Sequence, residues 1–378
     1  MREACSNPLW PCAMTGAASA LAGISDLGVI VNGSSGCYYY ADMAIPDTLY
    51  STFLVEDEVI FGTAERLTET VESVSQFCKK VAVINTCVPS IMGEDIKSIL
   101  SDYDVFFVDA GGFKGDFDSG WKSACEALAL SCNESEKSVN IEGICSLDPY
   151  YIGNLNEAKR LLSLADIPAG PVFFHDTYDA IKNPSCLSVS VNPDYNTGAA
   201  KKCPAILGTP EEVEKAVEDI SAYFPESNPE KITNLSEETS EILTKAGDNY
   251  LRKNDPPRVA VFSTKNYTEF ACRILTEYMD AEIVFAGARN GESSMCSGVK
   301  IEHVNSIRPV SSRIKEEKPD LLIGSSYEYA RFPEIPFMGL TFPIRHIKML
   351  FHRPLAGIEG SLYFLDSAIN ALESKKRN

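Results

Sequence analysis

Val29-Ile30-Val31 and Val81-Ala82-Val83-Ile84 are short, rich in β-branched side chains and followed at once by turn residues. Apolar runs of that kind mark strands buried on both faces of a parallel sheet. The pattern around them predicts a strand at 80–86, a helix at 90–100 and a strand at 105–109. Gly111-Gly112-Phe113-Lys114-Gly115 then opens a helix running through Trp121 to residue 130. Repeated βα alternation specifies an α/β fold with a helix-covered parallel sheet. The polar stretch 131–138 closes this first unit. A second unit is predicted with strands at 139–144, 171–174 and 187–191 and a helix at 155–164. A further helix begins at Thr209-Pro210-Glu211-Glu212, where Thr at the N-cap, Pro at the first position and Glu at the third make a capping box. A surface loop at 225–229 and a connecting helix at 237–253 follow. After Pro256-Pro257 come strands at 258–263, 282–285 and 320–324, a helix at 267–279, an edge-type strand at 333–339 and a last helix at 361–372. Three Rossmann-like units thus fit the chain, at 1–135, 136–255 and 256–378.

Three cysteines stand where such a fold displays functional groups. Cys37 and Cys87 each follow the carboxyl end of a predicted strand, the place where open α/β sheets hold ligands. Cys12 precedes Ala13-Met14-Thr15-Gly16-Ala17-Ala18, small enough for backbones to pack closely. Thiolates are soft ligands that select iron–sulfur clusters or zinc. Ordinary buried cysteines are the plainer reading, because free Cys is among the most buried residue types.

The twelve cysteines include no Cys-x-x-Cys, against zinc ribbons and thioredoxin chemistry. Cys125 and Cys132 are seven apart on a predicted helix, a core-facing spacing. Cys5 is the one cysteine near enough in sequence to stand in for Cys12. A formal net charge of −19 argues against nucleic acid, whose binding rests on neutralised phosphates. No apolar run reaches the length of a membrane span, and the N-terminus lacks a signal peptide's apolar core, so the chain is expected in the cytoplasm. No Gly-x-x-x-x-Gly-Lys-Ser/Thr occurs, so ATP is not expected on this chain.

The order Cys-Ala-x-x-Gly at Cys12, Gly-Cys-Tyr at Cys37 and Asn-Thr-Cys-Val-Pro-x-x-x-Gly-Glu-Asp at Cys87 resembles the nitrogenase component 1 family. Gly111–Gly115 and His352-Arg353-Pro354-Leu355-Ala356-Gly357-Ile358-Glu359-Gly360 extend the likeness over nearly the whole chain. The resemblance implies three Rossmann-like domains with a cleft between them. It implies a 4Fe-4S cluster on Cys12, Cys37 and Cys87 near a subunit interface, hence a homodimer. It also implies a transient partner: a homodimeric, ATP-hydrolysing iron protein. Nitrogen-reducing members add a cofactor Cys and His, which would fall near 190–193 and 341–343. Neither residue type is present there. That departure points to the branch that keeps the cluster, leaves the central cavity free and reduces a bound organic substrate.

Residues 342–353 concentrate basic and titratable side chains in an acidic protein, and Arg345, His346, His352 and Arg353 are the candidate clamp for a carboxylate-bearing substrate. A helix with a solvated basic face, or a docking strip, is the plainer reading. The resemblance implies a nickel tetrapyrrole as substrate, in coenzyme F430 biosynthesis of methanogenic archaea. Another tetrapyrrole, a sulfur–carbon substrate, a cofactor-assembly scaffold or a plain ligand-binding protein are the alternatives. His175-Asp176, at a strand end, reads as a proton-donor pair or a satisfied loop histidine.

Overall fold

The computed structural model describes residues 9–345 and 347–374. Three parallel-stranded sheets follow one another along the chain. Strands β1 (Leu27–Asn32), β2 (Leu49–Ser51), β3 (Lys80–Asn85) and β4 (Val105–Asp109) form a parallel sheet in the order β2-β1-β3-β4. Every residue of β1 is buried, as expected for a strand covered by helices on both faces. Strands β5 (Val139–Glu142), β6 (Ala169–Val172) and β7 (Ser188–Ser190) make a smaller parallel sheet in the order β6-β5-β7.

The third sheet contains β8 (Arg258–Ser263), β9 (Glu282–Ala288), β10 (Ser294–Cys296), β11 (Val299–His303), β12 (Leu321–Gly324) and β13 (Phe337–Gly339), ordered β10-β11-β9-β8-β12-β13. Only the β10–β11 hairpin is antiparallel. The proline-rich approach to β13 places it at an edge, where a missing N–H is tolerated.

The capping box forms as the sequence requires. Thr209 Oγ1 accepts from Glu212 N at 3.4 Å, and Glu212 Oε2 accepts from Thr209 N at 2.9 Å, starting the helix Pro210–Ser221. Other expectations need correction. The helix at 90–100 is two pieces, Cys87–Met92 and Ile96–Ile99, because Gly93 takes a left-handed φ of +75°. The connecting helix begins earlier, at Glu230, and runs to Leu251. Cys132 is not on the helix with Cys125: that helix, Phe117–Leu128, ends at a left-handed Ala129, and Cys132 forms a disulfide with Cys186.

The helix Ala13–Leu21 is buried at every position. It crosses Phe117–Leu128 backbone against backbone: a Cβ on Gly16 would lie 2.0 Å from Phe117 O, and one on Gly120 1.8 Å from Ala13 O. The crossing fixes the helix that Cys12 caps. One apolar core joins the second and third sheets through the C-terminal helix Gly357–Ser374. No helix among the described residues is long and apolar enough to cross a membrane.

Asp118 and Asp148 each stand within electrostatic reach of Asp194. Burial pushes Asp118 up to about 7, with Asp116 and Asp194 adding repulsion, and burial pushes Asp148 up to about 6. A carboxyl raised in the folded state stabilises the protein below its unfolded value near 4 and loses that contribution as pH rises through the folded value. Denaturant midpoints are therefore expected to fall between pH 5 and pH 8. Asp118→Asn is expected to flatten that fall by roughly 1–3 kcal/mol; an identical slope in the variant would refute the assignment.

Candidate metal centre

Each candidate cysteine sits in the first turn of a helix. Cys12 is the N-cap of Ala13–Leu21, Cys37 the third residue of Ser35–Asp42, and Cys87 the first of Cys87–Met92. The strands β1 and β3 are neighbours in register from Leu27↔Lys80 to Asn32↔Asn85, so their two cysteine-bearing turns leave the sheet side by side. Buried polar side chains knit the turns together. Asn32 Nδ2 donates to Asn85 Oδ1 at 3.1 Å, and Thr86 Oγ1 donates to Asn32 O at 2.9 Å. Gly33 is required by the same closeness, since a Cβ there would stand 2.1 Å from Thr86 Oγ1. Asn85 and Thr86 belong to the motif around Cys87, but their pairing with Asn32 was not legible, because which strand neighbours which is a property of topology.

The three thiols converge. Cys37 is raised first by burial and then by Cys87 and Cys12, while hydrogen bonds from Ser34 and Thr86 pull it down. Mutual repulsion of that kind is relieved when metal brings positive charge among the thiolates. Gly112 N donates to Cys87 Sγ at 3.0 Å, which assigns the 111–115 turn a direct role in holding one sulfur. Among the described residues no three His, Cys, Asp or Glu side chains close to the spacing of a single ion. A polynuclear cluster places iron and sulfide between its ligands and spans a wider set, so the donor set fits a cluster better than mononuclear zinc. All three cysteines are half-buried. The helix of Cys37 also carries exposed Tyr39, with Met43 at its C-cap, and the helix of Cys87 carries exposed Ile91. Cys5 lies outside the described residues.

The basic strip does not form a helix. Residues 340–345 and 347–356 are irregular, and Arg345, His352 and Arg353 are exposed. His346 lies outside the described residues. Burial raises the Tyr40 hydroxyl, Tyr327 and Cys12 raise it further, and the Arg345 cation opposes them. Tyr40, on the helix that carries Cys37, therefore stands within electrostatic reach of both Cys12 and Arg345. Arg353 goes elsewhere, its guanidinium 5.1 Å over the Tyr363 ring. Arg345 and Arg353 thus have different neighbours, and a shared two-arginine clamp is not what the fold presents. Asp176 Oδ2 accepts from Val172 N at 2.8 Å, which ties it into its own turn.

The space beside one of the stretches expected to border a central cavity is tightly packed. Next to Thr341 and Phe342, the side chains of Trp10, Leu147, Asp148, Tyr195, Thr264 and Tyr267 meet in a space too tight for a water molecule. Asn192 Nδ2 donates to Asp148 Oδ2 at 3.3 Å, and Tyr267 Oη donates to the same oxygen at 2.5 Å. Aromatic and hydrogen-bonded side chains fill this junction.

Residues 12–373 match the family model for nitrogenase component 1 type oxidoreductases. The chain is 24% identical to the nitrogenase molybdenum-iron protein beta chain of Frankia alni, over 100% of this chain and 84% of that one. It is likewise 24% identical to the beta chain of Methanococcus maripaludis, over 99% and 96% of the two. The solved structure of nitrogenase Cp1 at pH 6.5 superposes with a TM-score of 0.80 at 19% identity, covering 98% of this chain and 93% of that one. With the family model spanning nearly its whole length, the chain belongs to the nitrogenase component 1 type oxidoreductases.

Proposed function

We propose that this chain is the large component of a nitrogenase-like Ni-sirohydrochlorin a,c-diamide reductive cyclase, which reduces the nickel macrocycle and closes its lactam ring to the seco-F430 acid in coenzyme F430 biosynthesis. The observation that carries the reading is the side-by-side placement of the turns bearing Cys37 and Cys87, which leave neighbouring parallel strands held in register. Arg345, exposed on the irregular segment after β13, is the proposed guanidinium for substrate carboxylates. A 4Fe-4S cluster held by Cys12, Cys37 and Cys87 would supply one-electron transfer at low potential. Arg345 binds and orients a carboxylate, while the exposed Ile347, Leu350 and Phe351 offer apolar surface to the ring.

Three cysteines per chain leave a four-iron cluster one ligand short, and the exposed apolar residues around them suit a second copy, so a homodimer is the proposed working form. Without a P-loop the chain cannot energise its own reduction. A homodimeric iron protein carrying Mg-ATP is the proposed electron donor, and the unit boundaries near 135 and 255 are the proposed domain limits.

The test is anaerobic conversion of Ni-sirohydrochlorin a,c-diamide, followed by spectrum and product mass. Turnover is expected only with this chain, the iron protein, Mg-ATP and reductant together. Conversion with reductant alone would refute the two-component scheme. Reduction of a different substrate in its place would remove the F430 assignment and leave the family standing. Arg345→Ala is expected to raise KM about tenfold or more, with a smaller effect for Arg353→Ala, whose guanidinium rests on Tyr363. Equal effects of the two would refute the placement of substrate at Arg345.

A further inference from the structure

Arg289 follows the carboxyl end of β9 and is fully buried, its guanidinium 4.9 Å over the Phe262 ring. Its Nη1 donates to two main-chain carbonyls from distant parts of the chain, Leu9 O at 2.9 Å and Phe342 O at 2.7 Å. Its Nη2 donates to Glu328 Oε2 at 3.2 Å, and that carboxylate is also fully buried. Leu9 is three residues before Cys12, and Phe342 three before Arg345. The intervening residues leave little slack. Trp10 packs on Phe117 at 4.6 Å between ring centroids. On the other arm Ser326 N donates to Pro343 O at 2.8 Å, and Arg345 N donates to Ser326 Oγ at 2.6 Å. Glu328 holds the same first turn, accepting from Ser325 N at 2.7 Å and Ser325 Oγ at 2.6 Å.

We propose that Arg289, held by Glu328 and Phe262, is the positioning residue that sets the Cys12 arm and the 342–345 segment in one frame. This rests on the proposed function for its purpose, since it would keep the electron-transfer ligands and the carboxylate-binding arginine at a fixed separation. The geometry itself stands apart from that reading. A buried ion pair adds little net stability once both charges have lost their water. The planar fork nonetheless does what no apolar residue of the same size does: it satisfies two buried carbonyls from two segments at one nitrogen. Arg289 Nε and Glu328 Oε1 have no partner among the described residues, so the pair is not optimised for hydrogen bonding alone.

The test uses the full chain, purified anaerobically and then stripped of metal under reducing conditions. Arg289→Met with Glu328→Gln removes both charges together, so that no lone buried ion unfolds the protein. Cys12 is then expected to react with iodoacetamide about tenfold faster than in the parent, while Cys37 and Cys87 stay within about twofold. Trypsin is expected to cut after Arg345 faster as well. Parent-like rates at Cys12 and after Arg345 in a folded double variant would overturn the proposal. Arg289→Lys keeps the charge but loses the fork. It is expected to leave Cys12 accelerated, and full recovery of the parent rate would show that charge, not geometry, does the work. Because these readouts need neither metal nor substrate, their failure is distinct from failure of the cyclase reading. The latter is tested separately, by iron content and turnover of the anaerobically purified parent chain.

Discussion

Cys12→Ala, Cys37→Ala and Cys87→Ala are each expected to lose most of the bound iron and labile sulfide, whereas Cys125→Ala and Cys272→Ala keep the parent content. The contrast follows from what the sulfurs touch. Cys37 feels both Cys12 and Cys87, and Cys87 takes a 3.0 Å hydrogen bond from Gly112 N, so these thiols lie in one neighbourhood. Removing one takes away one of its three thiolates. Cys125 is pushed up to about 12 by burial and, secondly, by Glu142, and Cys272 is fully buried beside Cys296 with its thiol raised by burial. Burial of that kind disfavours the thiolate that a metal needs. Iron and acid-labile sulfide per protomer, with the visible absorption band, measure the outcome. Parent-level iron in all three first variants would overturn the metal centre.

Gly120→Val is expected to cost about 4 kcal/mol or more, the range reached only by overpacking or buried-charge defects. The reason is the backbone contact at the helix crossing. A Cβ at Gly120 would stand 1.8 Å from Ala13 O, and main chain cannot step aside as a flexible side chain can. The two helices would have to separate, and with them Cys12, which caps the first and whose carbonyl accepts from Gly16 N at 3.1 Å. A large drop in denaturant midpoint is expected, with depleted iron in whatever fraction folds. Gly298→Ala makes the control. Nothing lies within 4 Å of its would-be Cβ, so its cost is limited to the strain of a φ of +75°, about 1 kcal/mol. A Gly120→Val protein as stable as that control would refute the tight crossing.

Several elements were legible from local pattern alone. The strand Arg258–Ser263 is where the apolar run and the preceding prolines put it, and the box at Thr209 forms because capping needs only residues three apart. The cysteine-bearing turns at Cys37 and Cys87 were legible because a buried parallel strand ends in a turn and a helix. The three-residue strands β2 and β10 escaped because elements that short carry little periodicity of their own.

What the sequence by itself determined is the α/β alternation and the placing of thiols at turns that lead into helices. These depend on residue type and local spacing. Only the tertiary structure decided which turns are neighbours, and so that Asn32, Asn85 and Thr86 bind the two cysteine loops together. It also set the Arg353 guanidinium over the Tyr363 ring, a contact that the spacing within the basic strip does not encode. It joined Cys132 to Cys186 across 54 residues and brought Arg289 to carbonyls 280 and 53 positions away. Contacts at such separations are set by how the sheets pack on one another, and no local propensity encodes that packing.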